Sequence, residues 1–182
     1  RRLAVRPDKI VALEMGGNHP MVVWDTPKIT DAAALVVQSA FTSAGQRCTA
    51  ARRLIVKSTM YDALIGEVKR LADRLIVGAP FDDPVPFMGP VIDNAAADGL
   101  TESFLYLLSH GGKAIKHMVR QHDDLPFLSP SIIDVTQVKD RPDVELFGPL
   151  LQVVQVGDFD EAIAEANNSR FGLSASLVGG TP

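Results

Sequence analysis

Residues Thr30–Leu75 read TDAAALVVQSAFTSAGQRCTAARRLIVKSTMYDALIGEVKRLADRL, and the spacing of their apolar residues changes twice. In TDAAALVVQSAFTSAG, Leu35, Val36, Ala40 and Phe41 fall on one helical face, with Thr30 or Asp31 as the cap and Gly45 as the stop. RLIVK, Arg53–Lys57, is β-branched and strand-like. STMYDALIGEVKRLADRL returns to helical spacing, with Ser58 suited to the N-cap. Its stripe is Tyr61, Leu64, Ile65, Val68, Leu71, Ala72 and Leu75. Helix, strand and helix in immediate succession is the signature of helices layered on a sheet.

The same alternation extends outward. KIVALEMGG predicts a short buried strand, Ile10 to Leu13, running into a turn at Gly16 and Gly17. GAPFDDPVPFMGPV carries four prolines and predicts an irregular surface loop. A helix is expected from about Asn94 to Ser109, with Leu100, Phe104, Leu107 and Leu108 as its stripe and Gly111 at the C′ position. SPSIIDV, LLQVVQV and LSASLV read as strands, and DFDEAIAEANNS reads as a helix in which Asp158 and Glu161 have capping-box spacing. The expected fold is therefore one α/β domain, a layered and largely parallel sheet flanked by helices.

Bulk properties narrow the function. The 182 residues are 46% hydrophobic and 22% charged with a net charge of −4, ordinary for one globular domain and without the basic stripe of a nucleic-acid binder. The single cysteine excludes an internal disulfide. No apolar run reaches the roughly 18 residues of a membrane span, and the first residues lack the apolar core of a signal peptide. A cytoplasmic location is the expectation. The chain lacks an initiator methionine and stops at GGTP just after a strand pattern, so both ends are expected to be cuts in a longer protein.

Three residues are candidates for chemistry. Cys48 lies in SAGQRCT, after a helix, where small residues let a substrate approach and where Arg47, Arg52 and Arg53 could stabilise a thiolate if they point at it. A lone cysteine is more often a small buried hydrophobe. Glu14 ends the first strand pattern, at a sheet edge of the kind where α/β proteins bind ligands, and partial burial would raise its pKa toward that of a general base; a salt bridge is the plain alternative. Glu145, in ELFGPLLQ, reads either as a functional acid or as part of a rigid turn. His110, His117 and His122 match no zinc pattern and read as solvated, and no metal is expected. His19 could pair with Cys48 as in cysteine hydrolases, although nothing in the sequence positions it.

In order along the chain, LEMGGNHPMVV, GQRC, ELFGPLLQV and ANNSRFGLSASL resemble the aldehyde dehydrogenase superfamily, and the resemblance spans nearly the whole chain. More narrowly, KIVALEMGGNHP, QSAFTSAGQRCTAARRL and ANNSRFGLSASLV resemble the N-succinylglutamate 5-semialdehyde dehydrogenase subfamily of arginine catabolism. The resemblance implies an NAD-dependent oxidation of a semialdehyde with Cys48 as nucleophile, Glu14 as general base, Glu145 on the nicotinamide ribose and Phe147 beside the nicotinamide. Arg47 is the candidate for a carboxylate-bearing substrate, Asn168 is read as structural, and His19 departs from the family's usual residue at that place. The family's cofactor domain would precede Arg1 and its oligomerisation strand would follow Pro182. Residues 1–182 are thus expected to be one thiol-bearing catalytic domain, inactive alone, of a homo-oligomeric parent. The other readings are oxidation of another aldehyde, a thiol hydrolase using Cys48 and Glu14 without NAD, and a non-catalytic binding piece.

Overall fold

The computed structural model describes residues 7–179. The elements are β1 (Pro20–Trp24), α1 (Ile29–Phe41), β2 (Arg53–Lys57), α2 (Tyr61–Ala72), α3 (Asn94–Ser109), β3 (Lys113–Lys116), β4 (Arg120–His122), β5 (Leu125–Leu128), β6 (Ser131–Asp134), β7 (Leu150–Val156), α4 (Phe159–Asn167) and β8 (Ser176–Gly179). Six strands form one sheet in the order β3-β6-β7-β2-β1-β8, parallel throughout except for β3, which pairs antiparallel with β6. β4 and β5 form a separate antiparallel pair.

The sheet is covered on both faces, which is why its central strands are nearly continuous apolar runs. On one face Met21, Val23, Leu54, Val56, Leu151 and Val153 pack against α1 and α2 through Val36, Phe41, Leu64 and Val68. On the other, Val22, Ile55, Val154 and Val156 join Ala162 of α4 and Phe104 and Leu107 of α3. Alternate strand residues serve opposite layers, as the period of two requires.

Several boundaries match the sequence reading: Arg53–Lys57, Asn94–Ser109, and strands within SPSIIDV and LLQVVQV; the strand expected in LSASLV starts later, at Ser176, and runs on to Gly179. Gly111 adopts φ +99° beyond α3, where the amides of Gly111 and Gly112 return to the carbonyls of Leu108 and Leu107. The Asp158 carboxylate accepts from the Glu161 amide, while the Glu161 carboxylate reaches the Gly157 amide instead of that of Asp158.

Other expectations are corrected. Ile10 to Leu13 is not a strand; Ile10 is fully exposed and nothing pairs with this segment among the described residues. The strand is Pro20–Trp24, whose amides and carbonyls are taken up by β2 and β8. Neither Thr30 nor Asp31 caps α1: the cap position is Lys28, with no side-chain bond, and Leu35 faces solvent. α1 ends at Phe41, with a further turn, Thr42–Gly45, carrying the chain to the expected stop. Ser58 opens a short 3-10 turn ahead of α2 without a side-chain cap bond. Leu108 is only partly buried, at the rim of the second core.

Candidate functional site

Four loops reach the sheet at one end, each just ahead of the strand it feeds: residues 16–19 before β1, 42–52 before β2, 142–149 before β7 and 168–175 before β8. These four strands are neighbours and parallel, so their leading loops must lie side by side. The site is therefore at the amino-terminal edge of the strands, not the carboxy-terminal edge expected for Glu14.

The Cys48 loop is wound tightly. Ser43, Ala44 and Gly45 all have positive φ, at 57°, 53° and 69°. Left-handed backbone costs a non-glycine residue roughly 1–2 kcal/mol, so this loop persists only because its surroundings fix it. The Gln46 side chain donates to Ser43 O and Pro90 O, each at 3.2 Å. Gly45 lies against the carbonyl of Gly148, with no room for a side chain. Cys48 itself is exposed, so it is not a buried filler.

The glycine pair closes the arrangement. A Cβ on Gly17 would stand 2.7 Å from the Cys48 carbonyl, and one on Gly16 would strike the Glu145 carboxylate. Two adjacent glycines thus bring one strand of chain against both the cysteine loop and the acid-bearing turn. Glu14, two residues earlier, is exposed, not partly buried. Glu145 has a buried Oε1 with no hydrogen-bond partner, and Phe147, two residues on, leaves 43% of its surface open. An orphaned carboxylate oxygen beside an open aromatic face fits a ligand that offers a hydroxyl donor and a flat ring.

The three arginines near Cys48 diverge. Arg47 Nη2 donates to Ser39 O at 2.9 Å and Gln38 O at 3.4 Å, at the end of α1, and its Nε is buried without a partner. Arg53 points to the other layer, donating to Asn18 O at 3.1 Å, Ala166 O at 2.9 Å and Glu165. Arg52, 1% exposed, lies beneath the site. It donates to the carbonyls of Gly45, Arg47 and Gly148, and its guanidinium sits 5.5 Å from the Phe147 ring centre. Burial pulls Arg52 down to about 10, opposed by the negative charges of Glu145 and Cys48.

His19 does not serve Cys48. Its Nδ1 lies 2.8 Å from Thr49 O and its Nε2 2.9 Å from the Ser176 hydroxyl, an arrangement that suits a neutral ring donating to Thr49 and accepting from Ser176. Burial lowers its pKa, against the pull of the Thr49 carbonyl. Because the folded pKa is below the unfolded one, the unfolded chain binds more protons in the window below about pH 6.5, and stability falls there as pH falls. Urea midpoints are expected to drop between about pH 7.5 and 5.5 and to flatten in His19→Gln, whose amide cannot titrate. Equal slopes in the two proteins would contradict this.

Sequence reasoning missed Asp143. Its carboxylate accepts from Asn18 Nδ2 at 3.0 Å, Ser169 Oγ at 2.8 Å and the Arg170 amide at 2.7 Å. Burial works against its charge, but these donors hold its pKa below the usual range. It ties the leading loops of β1, β7 and β8 together, and only their spatial order could have identified it. Asn168 ends α4 and lines a small polar cavity with Asn18, Arg53, Asp143 and Gln152. Among the described residues no group of three or more His, Cys, Asp or Glu could hold a metal ion; His110, His117 and His122 are exposed. No helix there is long and apolar enough to cross a membrane.

Comparison with known proteins is consistent with this geometry. An N-succinylglutamate 5-semialdehyde dehydrogenase of Novosphingobium aromaticivorans is 80% identical over all 182 residues, which cover 39% of that protein. Its counterpart in Sphingopyxis alaskensis is 66% identical over the same residues, 38% of its length. The chain thus spans well under half of these curated relatives. A 1-pyrroline-5-carboxylate dehydrogenase from Thermus with bound NAD superposes with TM-score 0.84 at 29% identity, over 92% of this chain and 32% of that one. An NADP-dependent glyceraldehyde-3-phosphate dehydrogenase from Bacillus halodurans, complexed with NADP, gives 0.81 at 35% identity, over 91% and 34%. The aldehyde dehydrogenase family model matches residues 2–181, and on that match the chain belongs to the aldehyde dehydrogenase family.

Proposed function

We propose that this chain is the thiol-bearing catalytic domain of an NAD-dependent dehydrogenase that oxidises N-succinyl-L-glutamate 5-semialdehyde to N-succinylglutamate, in arginine catabolism. The observation that carries the mechanism is the packing of Gly17 on the Cys48 carbonyl and Gly16 on the Glu145 carboxylate, which gathers thiol, acid turn and Glu14 segment at one edge. The substrate rests on the 80% and 66% identities to proteins of that name.

Cys48, as thiolate, attacks the aldehyde carbon and forms a tetrahedral thiohemiacetal, with the Cys48 backbone N–H as one donor to the developing oxyanion. Glu145 and Phe147 would hold the ribose and nicotinamide of the dinucleotide, through the orphaned Oε1 and the open ring face. When bound, the cofactor supplies the two-electron acceptor that turns this adduct into a thioester. Glu14 then takes a proton from the water that attacks the thioester, and the Cys48 thiolate leaves. Glu14 is exposed, so water reaches its carboxylate directly, without the partial burial that the sequence suggested. Arg47 is the candidate contact for the substrate's remote carboxylates; unchanged KM in Arg47→Met would remove it. The same proposal includes a cytoplasmic setting, where a free thiol stays reduced, and a homo-oligomeric parent.

Glu14→Gln is expected to leave acylation intact and slow thioester hydrolysis by about 10²-fold, the usual contribution of a general base. Rapid mixing should then show a burst of NADH near one per site followed by slow turnover. Equal slowing of burst and steady state would remove Glu14 from deacylation. The substrate is tested by offering the full-length protein N-succinylglutamate semialdehyde, glutamate semialdehyde and a neutral aliphatic aldehyde, with NAD. Clear preference for the succinylated compound is expected; a higher kcat/KM for either alternative would discard the pathway and keep the mechanism.

A further inference from the structure

We propose that Arg52 is a positioning residue: its buried guanidinium fastens the loop presenting Cys48 to the turn presenting Glu145 and Phe147. This rests on the reading of Cys48 as nucleophile. The three carbonyls it binds come from both sides of that junction, Gly45 and Arg47 from the cysteine loop and Gly148 from the acid turn. A planar fork with several fixed donors can satisfy carbonyls on two loops at once, which a lysine ammonium does less well.

The charge is the second half of the argument. Arg53, its neighbour, is buried too, but has a carboxylate partner in Glu165. Arg52 has none within ion-pair distance among the described residues, and its Nε is unbonded. A buried cation bonded only to neutral carbonyls is costly, and an apolar side chain would fill the same space at less cost. The negative charge that chiefly favours its charged form is the Glu145 carboxylate, on the turn that it fastens. The charged groups around Cys48 are then Arg52 beneath it, Arg47 before it in the chain, Glu145 on the facing turn and Glu14 on the glycine segment; His19, in the next segment, is bonded as a neutral ring. Arg52 is the buried member of this set.

The test uses full-length protein carrying Arg52→Gln or Arg52→Lys. Backbone amide exchange in the peptides spanning residues 43–50 and 143–149 is followed by mass spectrometry, with thermal melting as the control for folding. Arg52→Gln loses the fork, and both peptides are expected to exchange about tenfold faster while the rest of the sheet is unchanged. Arg52→Lys keeps the charge and loses the fork, so the same two peptides should exchange faster and kcat should fall by about tenfold or more, with the aldehyde KM little changed, through misplacement of the two loops. Unchanged exchange in either peptide of folded Arg52→Gln, or wild-type kcat in Arg52→Lys, would overturn the proposal. Should Arg52→Gln not fold, Arg52→Lys decides alone: faster exchange in both peptides with lowered kcat supports the proposal, and unchanged exchange or wild-type kcat overturns it. Amide exchange requires neither aldehyde nor NAD, so its result stands apart from the failure of any substrate assignment.

Discussion

Cys48→Ala is expected to abolish aldehyde oxidation by the full-length protein, lowering kcat on the order of 10⁴-fold or more, as loss of a covalent nucleophile typically does. The reasoning is chemical. Without the thiolate there is no tetrahedral adduct and no thioester, so both the oxidation and the hydrolysis lose their substrate. The fold should be indifferent to the change: Cys48 is exposed and makes no packing contribution to either core cluster. Cofactor affinity should also survive, because the proposed cofactor contacts, Glu145 and Phe147, are untouched. Thermal melting and NAD titration therefore separate a chemical defect from a structural one. Residual turnover within tenfold of wild type, measured by NADH absorbance, would remove Cys48 from the mechanism.

The largest stability effect is expected at Arg53. It is 2% exposed, its guanidinium donates to three backbone carbonyls, and it pairs with Glu165, which also takes Arg141. Arg53→Met leaves the Glu165 carboxylate with less compensating charge and strips donors from Asn18, Glu165 and Ala166. Breaking a buried pair from one side costs about 3–5 kcal/mol, a large share of the 5–15 kcal/mol that holds a typical domain together. By contrast Arg70→Met, which removes an exposed pair with Glu67 on α2, should cost little, because solvent screens such a pair. Denaturant unfolding of the two variants side by side gives the comparison, and a cost at Arg53 no larger than that at Arg70 would contradict it.

The two adjacent arginines also show what a sequence can and cannot yield. As neighbours in an extended segment they must leave on opposite sides. One therefore enters the α4 layer and the other turns under the Cys48 loop. The sequence showed three positive charges around a cysteine; only the sheet shows that one of them lies beneath it while the others are bonded to α1 and α4.

The same distinction runs through the fold. β2, β7, α3 and α4 were legible because each carries its own local signal, whether a β-branched run, a helical stripe or a cap. Ile10 to Leu13 carries an equally apolar run but has no strand beside it among the described residues, and a strand exists only by pairing. Pro20–Trp24 was obscured by the turn residues before it and by its proline, which is tolerated at a first strand position. β3 and β4 are short and rich in polar residues, so they offer little periodicity. The candidate site residues were legible as motifs, one by one. Their meeting depends on the sheet order β7-β2-β1-β8, which brings loops from distant parts of the sequence to one edge. No local pattern encodes that order.

The central claim is that Cys48 carries the acyl group during turnover. The direct measurement is to quench full-length protein during steady oxidation of N-succinylglutamate semialdehyde with NAD, digest it under acidic conditions, and weigh the peptide containing Cys48. The expected result is the mass of an N-succinylglutamyl thioester on Cys48, accumulating in Glu14→Gln and absent without NAD. An unmodified Cys48 peptide in Glu14→Gln during continuing turnover, or an acyl group on another residue, would contradict it.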